Sequence, residues 1–288
     1  MKKLFFLSTI VALFAACNNK DEAPVYEFQK PQYAAQAVKM AVTSVTTTSA
    51  TPVAPVEFKS IEFTEDGIYI IRKGAAPTAK SDVSDNASDV FITGRYTFSN
   101  GVYTMVGFGT AIIKNNNGVV SIELKTDGGE PYHLEGELAK PLADEQAATL
   151  CRTWLVKKTR ISFTKGVSVA ADFNNCNLNE IEDFVKQYVT LNKSLEYGMN
   201  VTGVTFSAAG TYLVTYSNGK ADVGTWNWAD DDHKRFSYKW EIEGMGRDWQ
   251  KGTACAEVAS NFVILSNDAS FTNDGEEYDV TVYMTLGL

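Results

Sequence analysis

The sequence predicts a mainly β protein that consists of two tandem antiparallel β domains. Three observations support this prediction: apolar and polar residues alternate over long stretches, turn-forming residues separate these stretches, and one hairpin pattern occurs twice. The alternation extends from about residue 33 to 138, and it resumes at about residue 198 and continues to 288. Turn signals such as the Ser-Asn-Gly at 99–101 interrupt it at short intervals. We therefore expect short strands joined by hairpins, with one face of each strand in a core.

The first 16 residues have the order of a secretory signal peptide. Lys2 and Lys3 precede an apolar run from Leu4 to Phe14, and small residues follow this run. The run is too short to cross a bilayer as a helix. We therefore predict that residues 1–16 are a signal peptide that is cleaved off.

Cys17 follows directly after Ala15 and Ala16, and this arrangement resembles the lipobox of bacterial lipoproteins. The resemblance implies that cleavage leaves Cys17 as the N-terminus, with diacylglycerol on its sulfur and an acyl chain such as palmitate on its amino group. Phe14 departs from the family pattern, which usually has leucine three residues before the cysteine. A plain signal peptide without a lipid anchor is the alternative.

Three charged residues shortly after the cysteine, Lys20, Asp21 and Glu22, resemble the lipoprotein export signal of Bacteroidetes. That resemblance implies a lipoprotein that is anchored in the outer membrane and faces the cell exterior. The alternative is that these charges only solvate a tether. Residues 17–32 are polar and contain two prolines, so we expect them to form a lipid-anchored tether.

Composition and charge limit the possible partners. The chain has 288 residues, of which 44% are hydrophobic, and this composition favours a folded protein of one or two domains. Its net charge of -9 argues against a nucleic-acid partner, because such proteins need basic surface to displace counterions from phosphates. We place the first β domain at residues 33–140 and the second at residues 141–288.

Two helices are predicted in the second domain. Pro141 is followed by helix-favouring residues over 142–150, and the domain boundary is placed there. A second helix is predicted over about 178–188, where Asn177 can cap the first turn and Glu180 completes a capping box. Apolar residues recur along it at helical spacing, so we expect one side of this helix to be packed.

An internal repeat is the strongest signal within the folded part. Residues 61–71 align without gaps with residues 204–214, and both copies are typical of two strands joined by a glycine-containing turn. Residues 94–98 and 224–228 then share a glycine followed by aromatic residues at alternate positions. This pattern predicts two related β domains, and a chance similarity is the alternative.

The second copy resembles the lipocalin-like domains of Bacteroidetes lipoproteins. Its marks are the Leu-Cys-Arg-Thr-Trp at 150–154, the segment 206–212 and the Gly-Thr-Trp at 224–226. The resemblance implies an antiparallel lipocalin-like barrel with a short helical insertion, whose interior is either filled or holds a small apolar ligand. The first copy has no tryptophan at the position of Trp154, which leaves the closure of a first barrel open.

Aromatic residues are concentrated in the second domain, where four tryptophans lie between positions 226 and 249. Alternation places Trp226 and Trp228 on one strand face and Tyr238 and Trp240 on a face of the next strand. Two adjacent inward faces favour a core over a surface platform, although in a hollow barrel the same rings would line the ligand pocket. Trp249 lies in a polar segment and is expected to be exposed, where a glycan could stack on it. The candidate ligand-binding residues are therefore Trp226, Trp228, Tyr238, Trp240, Tyr212 and Trp249.

Three cysteines remain after Cys17, and none has the close spacing of a zinc site or a redox dithiol. A disulfide between Cys151 and Cys176 is possible in an oxidising compartment. The alternative is that all three, including Cys255, are buried thiols that act as small hydrophobic residues.

No catalytic constellation is found in the sequence. The two histidines, His133 and His233, do not stand at metal-ligand spacing, and there is no phosphate-binding loop or dinucleotide motif. We therefore predict no catalytic residue, no metal and no cofactor. The predicted function is that of a non-enzymatic surface lipoprotein that binds a small apolar molecule or a glycan. The alternative is an adhesin-like or assembly component that binds another cell-surface protein.

Overall fold

The computed structural model describes residues 38–47, 58–74, 90–116, 119–129, 131–165, 167–188, 200–240, 251–273 and 276–288. The lipidation and export predictions at Cys17, Lys20, Asp21 and Glu22 lie outside these residues, and so does Trp249. Among the helices within these ranges, none has the length and apolar character needed to span a membrane.

The first domain is a closed barrel of eight antiparallel strands, which we call barrel 1. Each strand pairs with the next one along the chain, and the last strand pairs back with the first, from Met40 opposite Leu138 to Thr47 opposite Tyr132. The closure that the sequence left open is therefore complete. The strands are β1 (Val38–Thr47), β2 (Phe58–Phe63), β3 (Ile68–Lys73), β4 (Val90–Ser99), β5 (Val102–Met105), β6 (Gly109–Asn116), β7 (Val119–Thr126) and β8 (Pro131–Leu138).

The described residues of the second domain form ten strands and two helices. They are α1 (Glu145–Leu150), β9 (Thr153–Lys165), β10 (Val167–Asn174), β11 (Cys176–Asn177), α2 (Leu178–Lys186), β12 (Asn200–Phe206), β13 (Thr211–Tyr216), β14 (Ala221–Trp228), β15 (Arg235–Trp240), β16 (Lys251–Val258), β17 (Phe262–Asn273) and β18 (Glu276–Gly287). Strands β9 and β12–β18 form a second closed antiparallel ring, barrel 2, which closes where Val204 of β12 lies opposite Trp154 of β9. The predicted fold class, mainly β with two tandem antiparallel domains and a short helical insertion in the second, is confirmed.

Both helices begin at side chains that accept hydrogen bonds from the first turn. The Asp144 carboxylate accepts a hydrogen bond from the backbone N–H of Ala147 at 2.6 Å at the start of α1. The Asn177 side chain accepts hydrogen bonds from the backbone at the start of α2, and its Nδ2 donates to Glu180 Oε1 at 2.9 Å. These bonds satisfy backbone groups that a helix end would otherwise leave without partners.

The two aligned hairpins have the same geometry in the two barrels. Residues 61–71 and 204–214 pair in the same register, so each aligned residue has the aligned partner. Each turn contains a glycine at positive φ, 76° at Gly67 and 80° at Gly210. Only glycine adopts this backbone conformation without a steric penalty, which explains why both turns carry it.

The outer faces of these hairpins pack on each other and join the barrels. Ile68 and Ile70 of β3 point away from the interior of barrel 1, yet they are buried in one cluster with Leu213 and Val223 of barrel 2. This contact explains why the segment Ile-Tyr-Ile-Ile is apolar at every position, since both faces of β3 are buried.

A buried carboxylate lies at the same interface. The Glu62 side chain of barrel 1 accepts hydrogen bonds from the hydroxyls of Ser207 and Thr211 of barrel 2. The Lys39 ammonium lies 3.5 Å from Glu62 Oε2 and donates to Thr211 Oγ1 at 2.8 Å. A buried charge is tolerated when it is paired and hydrogen-bonded in this way.

The disulfide considered between Cys151 and Cys176 is absent from the structure. Both cysteines are free and buried, and burial raises the pKa of both thiols. They are held in separate elements, because the Cys151 N–H donates to the Ala147 carbonyl at the end of α1 whereas Cys176 lies in β11 opposite Val201. Cys255 is also free but exposed, so the alternative of three buried thiols holds for two of them.

Candidate functional site

Aromatic rings fill the centre of barrel 2. The Trp226 side chain is 4% exposed, and its indole N–H donates to the Ser207 carbonyl at 3.0 Å. Its ring stands edge-on to Phe206, and Phe236 meets Phe206 in the same way, each with ring centroids 5.4 Å apart. Tyr212 packs against Phe206 at 4.9 Å. The candidate ligand residues Trp226 and Tyr212 are therefore placed in the packed core.

Trp228 is held by a residue of α1 and by a turn. Its ring stacks on His233 with centroids 5.1 Å apart, and its indole N–H donates to Asp144 Oδ2 at 3.1 Å. Since Asp144 also caps α1, these contacts tie β14 to the helix. The contact with Asp144 joins residues 84 positions apart along the chain, so local sequence patterns do not reveal it.

Tyr238 crosses its neighbouring strand. Its ring lies over Gly252, where an added Cβ would lie 2.5 Å from the tyrosine hydroxyl oxygen, so only glycine fits. The hydroxyl accepts a hydrogen bond from Asn267 Nδ2 at 2.7 Å. Trp240 is the last residue of β15, where its backbone lies opposite Gly224.

Each barrel has two ends that we name by their turns. The base is the end that carries the aligned turns at 64–67 and 207–210, and the mouth is the opposite end. Strand β3 ends at the mouth of barrel 1 with Lys73, and β13 ends at the mouth of barrel 2 with Tyr216. These two residues occupy equivalent positions if the hairpin alignment is continued.

Polar groups at the mouth of barrel 2 pair with one another. The Tyr216 hydroxyl donates to the Asp222 carboxylate on the neighbouring strand. Buried or half-buried polar groups are stable when they are paired in this way.

The mouth of barrel 1 contains an inward-facing lysine. Lys73 alternates with Tyr69 and Ile71, which are buried in the barrel core, so its side chain is on the same face. Its Nζ lies 5.0 Å from the ring centroid of Phe58 and 5.3 Å from that of Phe108. Burial lowers the pKa of Lys73. Within the described ranges, no carboxylate pairs with this ammonium group.

The sequence analysis missed Lys73, although the signal was present. The residue continues the period-two pattern of Tyr69 and Ile71, and a lysine at an inward-facing position is unusual. Its aromatic neighbours Phe58 and Phe108 are distant along the chain, and only the closure of barrel 1 brings them to it.

A recess of about 570 Å³ lies on β14, β15 and β16, and its lining includes Trp226, Tyr238 and Gly252. Outward-facing side chains supply most of its lining, and they are hydroxyls, an amide and an amine. These residues are Thr225, Asn227, Ser237, Lys239 and Thr253.

The outer face of barrel 2 carries an exposed tyrosine. Strands β10, β9, β18 and β17 are neighbours in one sheet, and Asp172, Arg160, Tyr283 and Ser266 lie side by side across them. Tyr283 is 40% exposed, and Arg160 Nη1 donates to both oxygens of Asp172 at 3.1 and 3.2 Å. This face therefore presents an aromatic ring and a fixed guanidinium together.

Comparison of the sequence with protein-family models and with curated proteins finds no match. Among solved structures, the chain is similar to a protein of unknown function from the DUF3598 family of Nostoc punctiforme, with 8% identity over 88% of this chain and 96% of that one, and a TM-score of 0.23. It is also similar to transferrin binding protein B (TbpB) from serogroup B Neisseria meningitidis, with 14% identity over 87% of this chain and a TM-score of 0.21. A third match is intact Ap-TbpB with its N and C lobes, with 10% identity over 80% of this chain and a TM-score of 0.21. The chain spans 43% and 54% of the length of the two TbpB proteins. TM-scores this low carry no inference about the function of this chain.

Proposed function

We propose that this protein is a lipid-anchored, non-enzymatic surface protein whose partner is another protein. The observation that carries the proposal is the filled interior of both barrels. Phe63, Tyr96 and Tyr103 pack together in barrel 1, as Phe206 and Trp226 do in barrel 2. The interior of an eight-stranded barrel is either filled by its own side chains or holds one small ligand, and a filled interior leaves the outer surface and the barrel ends for binding.

The outer face around Tyr283 is the binding surface that we favour. Tyrosine and arginine often dominate the binding energy of protein interfaces, because they combine a large contact area with hydrogen bonding. Tyr283 and Arg160 lie opposite each other on neighbouring strands, and Asp172 fixes the guanidinium. The side chains of these three residues therefore need little rearrangement on binding.

A second candidate function, glycan binding, is favoured by the hydroxyl, amide and amine groups that line the recess on β14–β16. Thr225 and Thr253 offer hydroxyl groups there, and Lys239 adds an amine that suits an acidic sugar. Of the two aromatic residues that line this recess, Trp226 is buried in the core, and Tyr238 is half-buried with its ring packed over Gly252. We therefore rank this function second.

Photo-crosslinking on intact cells of the source organism tests the proposed function. A benzophenone amino acid placed at Tyr283 is expected to give a protein adduct of defined mass, because that ring lies in the binding surface. The same group at Val106, a 65% exposed residue of barrel 1, is the control and is expected to give none. The same crosslinking amino acid at a third position, Ser237, tests whether a ligand binds in the recess.

The outcomes separate the two functions. A protein adduct at Tyr283 that is absent at Val106 supports the proposal. A carbohydrate adduct at Ser237, without a protein adduct at Tyr283, favours glycan binding. Equal labelling at Tyr283 and Val106 contradicts a specific interface on this face.

The anchor is part of the same proposal. Cys17 would carry the lipid, and Lys20, Asp21 and Glu22 would direct the protein to the exterior. Several acyl chains make such an anchor effectively permanent, so the barrels need no membrane-binding surface. Replacing Cys17 by serine is expected to move the protein from the membrane fraction to the soluble fraction, measured by fractionation and immunoblotting.

The fractionation experiment also tests the export signal, with a separate variant. Replacing Lys20, Asp21 and Glu22 together by alanine is expected to retain the protein in the membrane but to protect it from protease added to intact cells. Membrane association that survives Cys17→Ser would contradict the lipid anchor.

A further inference from the structure

The ammonium group of Lys73 is half-buried, and the described part of the chain supplies no counter-ion for it. Its side chain points into the mouth of barrel 1, and among the described residues no carboxylate pairs with it. Removing an ammonium group from water costs hydration energy, and the lowered pKa of Lys73 reflects that cost. The rings of Phe58 and Phe108 return part of it through cation–π contacts.

The equivalent position in barrel 2 makes a useful comparison. Tyr216 stands there, and its hydroxyl donates to Asp222. The mouth of barrel 2 therefore contains an anionic partner from the chain itself, whereas the mouth of barrel 1 has a cation for which the described residues supply no anion.

The surroundings of Lys73 indicate which anion would fit. Phe58 and Phe108 flank the ammonium group, and Tyr132 meets Phe58 edge-on with ring centroids 5.2 Å apart. Two residues before Lys73 on the same strand face, Ile71 is fully buried in the core. One positive charge with apolar walls suits a small ligand that has one carboxylate and a short apolar body.

We infer that the mouth of barrel 1 binds the carboxylate of a small amphipathic acid, with Lys73 as the counter-ion and the rings of Phe58, Phe108 and Tyr132 as the apolar wall. This inference goes beyond the proposed function and does not depend on it, because the mouth and the Tyr283 surface belong to different barrels. The alternative is that Lys73 only packs its stem between the rings.

Calorimetric titration with octanoate, below its micelle-forming concentration, and with 1-octanol tests the inference. The protein is the chain of residues 17–288 with Cys17→Ser, which contains both barrels. It is expected to bind octanoate more tightly than octanol. Lys73→Met keeps the length and apolar volume of the side chain, and it should weaken octanoate binding by about tenfold or more, as for loss of a charged hydrogen-bond donor.

Matched variants distinguish a binding role from a structural one. Lys73→Arg keeps the charge and should retain the preference for octanoate over octanol. Phe108→Ala removes part of the apolar wall and should weaken the binding of both ligands. Tyr216→Phe changes the mouth of barrel 2 and should leave octanoate binding unchanged. The melting temperature of Lys73→Met should not fall, because the substitution removes a charge that is half-buried.

Two results would overturn the inference. One is the absence of octanoate binding to the unmodified mouth. The other is an octanoate affinity of the Lys73→Met variant equal to that of the unsubstituted protein. If the melting temperature of this variant also falls, Lys73 has a purely structural role.

Discussion

Replacing Glu62 by alanine is expected to lower the free energy of unfolding by about 3–5 kcal/mol, the typical cost of removing one partner from a buried charged network. The side chain is 1% exposed and bonds the hydroxyls of Ser207 and Thr211 across the interface of the barrels. Without it, those hydroxyls and the Lys39 ammonium lose their shared acceptor. Urea unfolding followed by circular dichroism measures the change.

Two control variants test the cause of this loss. Glu62→Gln keeps the shape and one carbonyl acceptor, so we expect a smaller loss than for alanine. Glu123→Ala removes a glutamate that pairs with Lys114 at 2.5 Å on the exposed surface of barrel 1, where water screens the interaction. If Glu62→Ala costs no more than Glu123→Ala, the buried network does not stabilise the interface.

Replacing Trp154 by alanine is expected to cost about 3–5 kcal/mol of the free energy of unfolding, the usual range for deleting a buried tryptophan. The side chain is fully buried, and its indole N–H donates to the Leu150 carbonyl at 2.8 Å. The residue also lies opposite Val204, where the ring of barrel 2 closes. The substitution is therefore expected to destabilise barrel 2 more than barrel 1.

The neighbouring residue provides the control for Trp154. Leu155 is on the same strand but nearly half exposed, so Leu155→Ala should change the stability little. Trp154→Phe keeps most of the apolar volume and loses only the indole N–H, and an intermediate effect is expected. Hydrogen exchange of β9 and β12 backbone amides in each variant shows whether the closure has loosened. A Trp154→Ala variant as stable as Leu155→Ala would contradict this role.

Local patterns were sufficient to predict most of the strands, because alternation and turn residues act over a few positions. The hairpins at 61–71 and 204–214 formed as predicted, and Asn177 caps α2. Trp226 and Tyr212 were predicted to lie either in a packed core or in the wall of a ligand pocket, and both side chains are buried in the core.

Contacts between distant segments were not predictable in the same way. The partners of Glu62 lie in the other barrel, and nothing in the first hairpin alone identifies them. The Asp144 carboxylate both caps α1 and bonds Trp228, a contact that depends on how the helix lies against β14. The register of β1 on β8, which closes barrel 1, likewise depends on the whole set of intervening strands.

The first strand of barrel 2 pairs with the last strand of the chain. Strand β9 begins at Thr153, yet one of its edges is covered only by β18, which begins at Glu276. Barrel 1 likewise closes by pairing its first strand, β1, with its last, β8, but more residues separate β9 from β18 than separate β1 from β8. Such long-range pairing is slow, and uncovered strand edges invite aggregation in the meantime. The exposed edge of β9 therefore waits longer for its partner than the edge of β1 does, even though both barrels have the same number of strands.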